Sequence, residues 1–143
     1  MHLANFKVED TASSIEVEGS HRDLHNNFLF YALDYDIANR EIRLRWRLRD
    51  ADWVAGDDPE YLDLIFQSVS LFKSKERDLD SPYSEDDCLS TIGFIGNDMI
   101  EDVESYSYTS PSNEASHLNI SFMSGFAIKV ASGSAKCIQG SSL

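Results

Sequence analysis

The most regular alternation of apolar and polar residues lies in "EIRLRWRLRD" (41–50). Ile42, Leu44, Trp46 and Leu48 interleave there with Arg43, Arg45, Arg47 and Arg49. A period of two puts the apolar set on one face of a strand and the arginines on the other. The preceding "NNFLFYALDYD" also alternates, with Leu29, Tyr31, Leu33 and Tyr35 on one parity and Phe28, Phe30, Ala32 and Asp34 on the other. With "IAN" between them, the two runs predict an antiparallel hairpin. A two-residue loop at Ala38 and Asn39 pairs Leu33 with Leu44, Tyr31 with Trp46, Leu29 with Leu48 and Asp34 with Arg43. A one-residue slip would break the apolar face, so the pattern selects this register. It also places Phe28 and Phe30 on the arginine face.

Further along, "YLDLIFQSVSLFK" reads as a third strand. Leu62, Leu64 and Phe66 share one parity, and Val69 and Leu71 the other. The switch near Gln67 and Ser68 predicts a bulge or bend. A short strand is expected at 14–18, and loops at "DADWVAGDDPE" and over 74–84. "SEDDCLSTIGFIGN" is read as the one helix. Ser84 would be its N-cap, Glu85, Asp86 and Asp87 would suit its positive end, and Leu89, Ile92 and Ile95 would share a face. Gly93 weakens that reading, and a strand at "LSTIGFI" is the alternative. "DVESYSYT" is read as a strand and "SPSNEAS" as a loop. The closing hairpin alternates Leu118, Ile120, Phe122 and then Phe126, Ile128, Val130, with Gly125 at the left-handed position of a three-residue loop at 123–125. The fold class expected is α+β, mainly antiparallel β: a curved sheet or sandwich of about six strands with one helix near residues 85–95.

Composition narrows this picture. The 143 residues suit a single domain, 1–143, with 1–12 and 138–143 expected to be poorly ordered. An apolar fraction of 42% with 11% aromatics fits a folded globule. No apolar run approaches the ~18 residues of a membrane span, and "MHLANFKVEDTASS" lacks the marks of a signal peptide, so a cytoplasmic location is expected. Cys88 and Cys137 are read as reduced, their pairing left open.

Charge changes the picture most. The chain carries a formal net charge of −13. Residues 50–63 hold six acids and no base, and residues 76–104 ten acids and one base, Arg77. Such a field repels phosphate backbones and anionic membranes and attracts basic partners. Phe30 beside Arg43, Arg45, Arg47 and Arg49 would suit stacked single-stranded nucleic acid. The overall charge favours a sheet face where the arginine heads meet carboxylates instead.

Residue patterns for catalysis are weak. "HRDLHNNFL" has the His-Arg-Asp of a kinase catalytic loop but Phe28 where its Asn would stand. His21, Asp23 and His25 alternate as metal ligands can on a strand, yet structural metal sites usually come with paired Cys or His, so these read as solvated loop residues. Cys88 follows three carboxylates that oppose thiolate formation. No catalytic residue, metal or cofactor is assigned.

The order of "HNNFLFYALDYD…EIRLRWRL", "YLDLIFQSVSLF" and "HLNISFMSGFAIKVAS" resembles small β-rich bacterial immunity proteins of polymorphic and contact-dependent toxin systems. The resemblance spans about residues 24–132 and implies a protein that masks a toxin partner. It carries over no individual residue. The expectation is therefore a non-enzymatic acidic binding protein for a basic protein partner, with Asp52, Asp57, Asp58, Glu60, Glu85 and Asp86 as partner-binding candidates. A homodimer is left open. The alternative is a small-molecule or peptide-binding β-module using a sheet face lined by Trp46, Tyr31 and Tyr35.

Overall fold

The computed structural model describes residues 1–54, 56–96, 103, 110–112 and 117–141. Short strands β1 (His2–Leu3), β2 (Phe6–Val8), β3 (Ser14–Val17) and β4 (Ser20–Asp23) precede long ones. These are β5 (Phe28–Asp36), β6 (Glu41–Leu48), β7 (Tyr61–Lys75), β8 (Leu89–Ile95), β9 (His117–Phe122) and β10 (Ala127–Gly140). The main sheet runs β5–β6–β7–β10–β9–β8, antiparallel along this path and curled into a half-barrel. β1 adds to β10 in parallel, and β2–β3–β4 form a second sheet. Phe6, Val8, Ile15 and Val17 of the small sheet share one core with Leu44, Trp46, Leu64, Phe94 and Ile120 of the large one.

The first hairpin keeps the expected register beside its turn, where Tyr35, Asp34 and Leu33 face Ile42, Arg43 and Leu44. The turn is a four-residue loop at 37–40. Its Arg40 is left-handed (φ 52°), and its Asn39 is held through N–H and side chain by the Asp36 carboxylate. Beyond Ala32 the register shifts by one residue: Tyr31 is extra, and Phe30, Leu29 and Phe28 face Trp46, Arg47 and Leu48. The bulge corrects the expected faces. Phe28 and Phe30 turn to the core side, and Tyr31 turns out beside the arginines. A bulge reverses parity because side chains alternate strictly with residue count.

The expected helix near 85–95 is not formed. A single 3-10 turn, Tyr83–Glu85, follows Pro82, and Ser84 caps nothing. Residues 89–95 are β8, paired to β9 with Ile92 opposite Ile120 and Phe94 opposite Leu118. The three-residue spacing of Leu89 and Ile92 mimics a helix face because Ser90 is a bulge residue. Leu89 pairs with Phe122 and Thr91 with Ser121, so Leu89, Ile92 and Phe94 all reach the core. No α-helix occurs among the described residues, and the fold class is mainly antiparallel β.

The parity switch in β7 is real. Gln67 and Ser68 are exposed, Ser68 takes φ 56°, and the pairing with β10 shifts between Ala131 and Ser132. The last hairpin closes as expected, with Phe122 N–H donating to the Phe126 carbonyl at 2.8 Å and Gly125 at φ 87°. Both ends expected to be poorly ordered hold strands: β1 and β2 within 1–12, and β10 running on through Gly140 opposite Tyr61. "DVESYSYT", apart from Val103, and residues 113–116 of "SPSNEAS" lie outside the described residues.

Candidate functional site: an apolar groove with an acidic rim

The bulge and the curl together create a groove of about 650 Å³ beside β5, within the size range of ordinary ligand sites. One wall is β5 itself, from Phe30 to Leu33. The floor continues an aromatic row. Phe30 lies 5.1 Å from the Trp46 ring and 4.7 Å from Phe122, which in turn stacks on Phe126 at 5.5 Å. The opposite wall is the 76–87 loop, which contributes Glu76, Arg77, Leu79, Asp86 and Asp87.

Arg77 organises that loop. Its Nε donates to both oxygens of Asp86 (2.9 and 3.2 Å), its other nitrogens to the carbonyls of Asp78 and Ser81, and its guanidinium lies 4.6 Å from the Tyr83 ring centre. The Arg77 hydrogen bond, and then one from Ser124, hold the Asp86 carboxyl below the usual carboxylate range. Two backbone bonds anchor the loop: Asp78 N–H to the Ser124 carbonyl (2.7 Å) and Phe30 N–H to the Asp87 carbonyl (2.9 Å). Gly125 is needed here twice over. Its φ is positive, and a Cβ would come within 2.5 Å of the Asp78 carboxylate.

The groove thus joins an apolar floor to three carboxylates and one guanidinium, a surplus of two negative charges. Leu79 (93% exposed) lines it, and Tyr83 (82%) stands out from the same loop against Arg77. Exposed large apolar side chains gathered around a pocket mark interaction surfaces.

Of the six acidic candidates, only Asp86 lines this groove. Glu85 is half-buried in the 3-10 turn next to it. The others sit in the 50–60 loop. Asp58 is buried and structural: its carboxylate lies 3.4 Å from Arg22 Nη1 and accepts from Asn27 at 3.1 Å. Arg22 is itself buried, and Gln139 and the Asp57 carbonyl also receive it. Asp52, Asp57 and Glu60 are exposed, and Trp53, which follows Asp52, donates its indole N–H to the Asn26 carbonyl. Glu76, Asp87 and Leu79 went unrecognised in the sequence. The available signal was one leucine alone in a charged loop, "KERDLDSPY".

The arginine row divides. Arg43 and Arg45 converge on the buried Asp63 of β7, at 3.5 and 3.4 Å, and Arg45 also approaches Asp34 at 3.9 Å. Asp63 foremost keeps Arg45 charged. Arg45 and Arg47 approach the Tyr31 ring at 5.6 and 6.0 Å. Arg49 lies past the strand end, toward Cys88. Phe30 is on the opposite face. Trp46, Tyr31 and Tyr35 form no common face either: Trp46 is in the core, Tyr31 points out, and Tyr35 packs on Phe72.

His21, Asp23 and His25 do not converge. His21 pairs with Glu9 (2.6 Å), Asp23 accepts the N–H groups of His25 and Asn26, and His25 Nδ1 meets the Leu89 carbonyl at 2.5 Å. His25 Nδ1 also lies 3.6 Å from the Cys88 sulfur. Since that nitrogen donates its proton to Leu89, it cannot take one from the thiol. Burial pushes the Cys88 thiol up, and Asp87 and Glu85 add to this against the opposing Arg49 charge. Both cysteines are free, and burial raises the Cys137 thiol to about 12. No family model, no curated protein and no solved structure matches the chain.

Proposed function

We propose that this chain is a non-enzymatic acidic binding protein, of the immunity type, that masks a basic protein partner through the groove between β5 and the 76–87 loop. The observation that carries the reading is the union in one place of an apolar floor, protruding Leu79 and Tyr83, and surplus negative charge. Apolar area supplies affinity and the charged rim supplies steering. Support against a nucleophilic role for Cys88 comes from burial, which pushes its thiol up, and from the neighbouring His25 Nδ1, which is engaged by the Leu89 carbonyl. Support against a nucleic-acid platform comes from the arginine row, two of whose heads are committed to Asp63.

The test is affinity capture from the native host at low salt with three baits: the wild-type chain, the groove variant E76K/D87K, and the control D52K/D57K. The expected result is a basic partner retained by the wild type and the control and lost by the groove variant. Retention by the groove variant, or a partner of acidic character, would overturn the reading.

A further inference from the structure

The two edges of the half-barrel are finished differently. At β8 the edge is capped, Ile92 N–H donating to the Ala12 carbonyl at 2.7 Å. At β5, the last strand of the sheet, Phe30 N–H is taken by Asp87, and past it residues 32–36 pair on one side only among the described residues. An open strand edge presents free backbone donors and acceptors in a row, a template for one more strand.

We propose that the outer edge of β5 at residues 32–36 takes up an extended segment of the partner as an added strand, one whose apolar and basic residues alternate. The proposal rests on the acidic-groove reading above and states how recognition occurs. Five residues of strand span about 16 Å, enough to pair a short peptide segment. Side chains of an added strand alternate between faces. Those on the inner face continue the side of Phe30 and Leu33 and enter the groove toward Phe126. Those on the outer face meet Asp34 and Asp36, which follow the opposite parity from Leu33 and Tyr35. Asp34 is 63% exposed and shared with Arg45 at 3.9 Å, whereas Asp36 stands opposite Glu41, and the Asn39 hydrogen bonds keep the Asp36 carboxyl ionised.

The same acids argue against a second copy as the occupant. Pairing β5 with β5 would bring Asp34 and Asp36 against their own copies on two chains of net charge −13. A basic strand removes that repulsion and gains from it.

The probe is an end-blocked heptapeptide alternating valine and lysine, titrated calorimetrically into the full chain, with backbone hydrogen exchange followed in parallel. The expected result is binding, with exchange of the amides at residues 32–36 slowed at least tenfold. A fully N-methylated version keeps the charge and apolar groups but loses the donors, and it should bind at least tenfold more weakly without protecting β5. Equal binding of both peptides, weakened by E76Q/D87N, would overturn strand addition and leave the acidic groove standing. Failure of the unmodified peptide to bind at millimolar concentration would likewise overturn strand addition, while the capture experiment judges the groove separately. Protection of β5 that rises with protein concentration alone would assign the edge to a second copy and overturn the proposal.

Discussion

In the 50–60 loop an aspartate is drawn inside, where Asp58 meets Arg22 and Asn27. In the 76–87 loop the carboxylates stay at a rim, around an apolar floor. The sequence makes the two look alike: both are acidic loops with turn residues between strands. What separates them is what lies beneath. The first loop closes over a polar junction of β4, β10 and the turn before β5, built from Arg22, Asn27 and Gln139. The second crosses the aromatic row of Phe30, Phe122 and Phe126. Charge density alone therefore does not mark a binding site. An acid over a buried guanidinium holds the fold, whereas an acid beside exposed apolar surface is free to meet another molecule.

The two loops differ most at the inner acid. Asp58→Ala strands Arg22 with about 8% of its side chain exposed. Removing one member of a buried pair costs about 3 kcal/mol or more, and here the Gln139 and Asp57 contacts favour the low end. Urea unfolding should show this loss, and a loss under about 1 kcal/mol would mean that the two loops do not differ in kind.

Next in size is Gly125→Ala. A left-handed non-glycine residue costs about 1–2 kcal/mol, and the new Cβ would displace the Asp78 carboxylate. Stability should fall by that amount, and the displaced 76–87 loop should bind the valine–lysine peptide more weakly. Unchanged affinity would show that the loop does not form the groove's working wall.

A smaller effect comes from pH. Burial, then the Lys129 charge and that of the N-terminal amine, lowers the His117 value below 6.5. The unfolded chain then binds more protons than the folded one, so stability is full above pH 6.5 and declines as pH falls through the folded value. The Asp86 carboxyl is likewise lowered, from 3.8. Its contribution is full above 3.8 and lost as pH falls through its folded value, a second and more acidic window. Arg77→Gln should flatten the second decline and leave the first, at a cost of under about 1 kcal/mol near neutrality because the pair is partly exposed. Stability followed from pH 8 to pH 3 checks both windows. A second decline unchanged in the variant would show that Arg77 does not set the Asp86 carboxyl.

Much of the fold was legible because apolar alternation is strong in β6, β9 and β10 and because Gly125 announces its turn. The wrong face assignments in β5 and the wrong helix share one cause. At Tyr31 and again at Ser90 one extra residue enters a strand, and every face assignment on the far side of it reverses. At Ser90 this also turned a strand into the likeness of a helix, since two inward residues separated by a bulge are spaced as on a helix face. In β7 the same device was visible, because Leu62, Leu64 and Phe66 before it and Val69 after it are all strongly apolar. Around Tyr31 both parities carry aromatic residues, so no such contrast showed. The site was legible only as charge, because a groove made by β5, a loop some fifty residues later and Phe126 has no local signature.

The smallest effect belongs to the exposed acids of the 50–60 loop. Asp52 and Asp57 are exposed, and Asp57 contributes to Arg22 through its backbone carbonyl, which a side-chain change leaves in place. Asp52→Asn and Asp57→Asn should therefore alter stability by no more than about 0.5 kcal/mol. They remain part of the acidic field, however, and a field acts over distances set by the salt, about 10 Å at 0.1 M. Neutralising both should slow association with the lysine peptide modestly at low salt, lose that effect at high salt, and leave dissociation unchanged, as expected of charges that steer without touching. Stopped-flow mixing at two ionic strengths separates the rates. A change in the dissociation rate would place this loop in contact with the ligand and extend the site from the groove to the far loop.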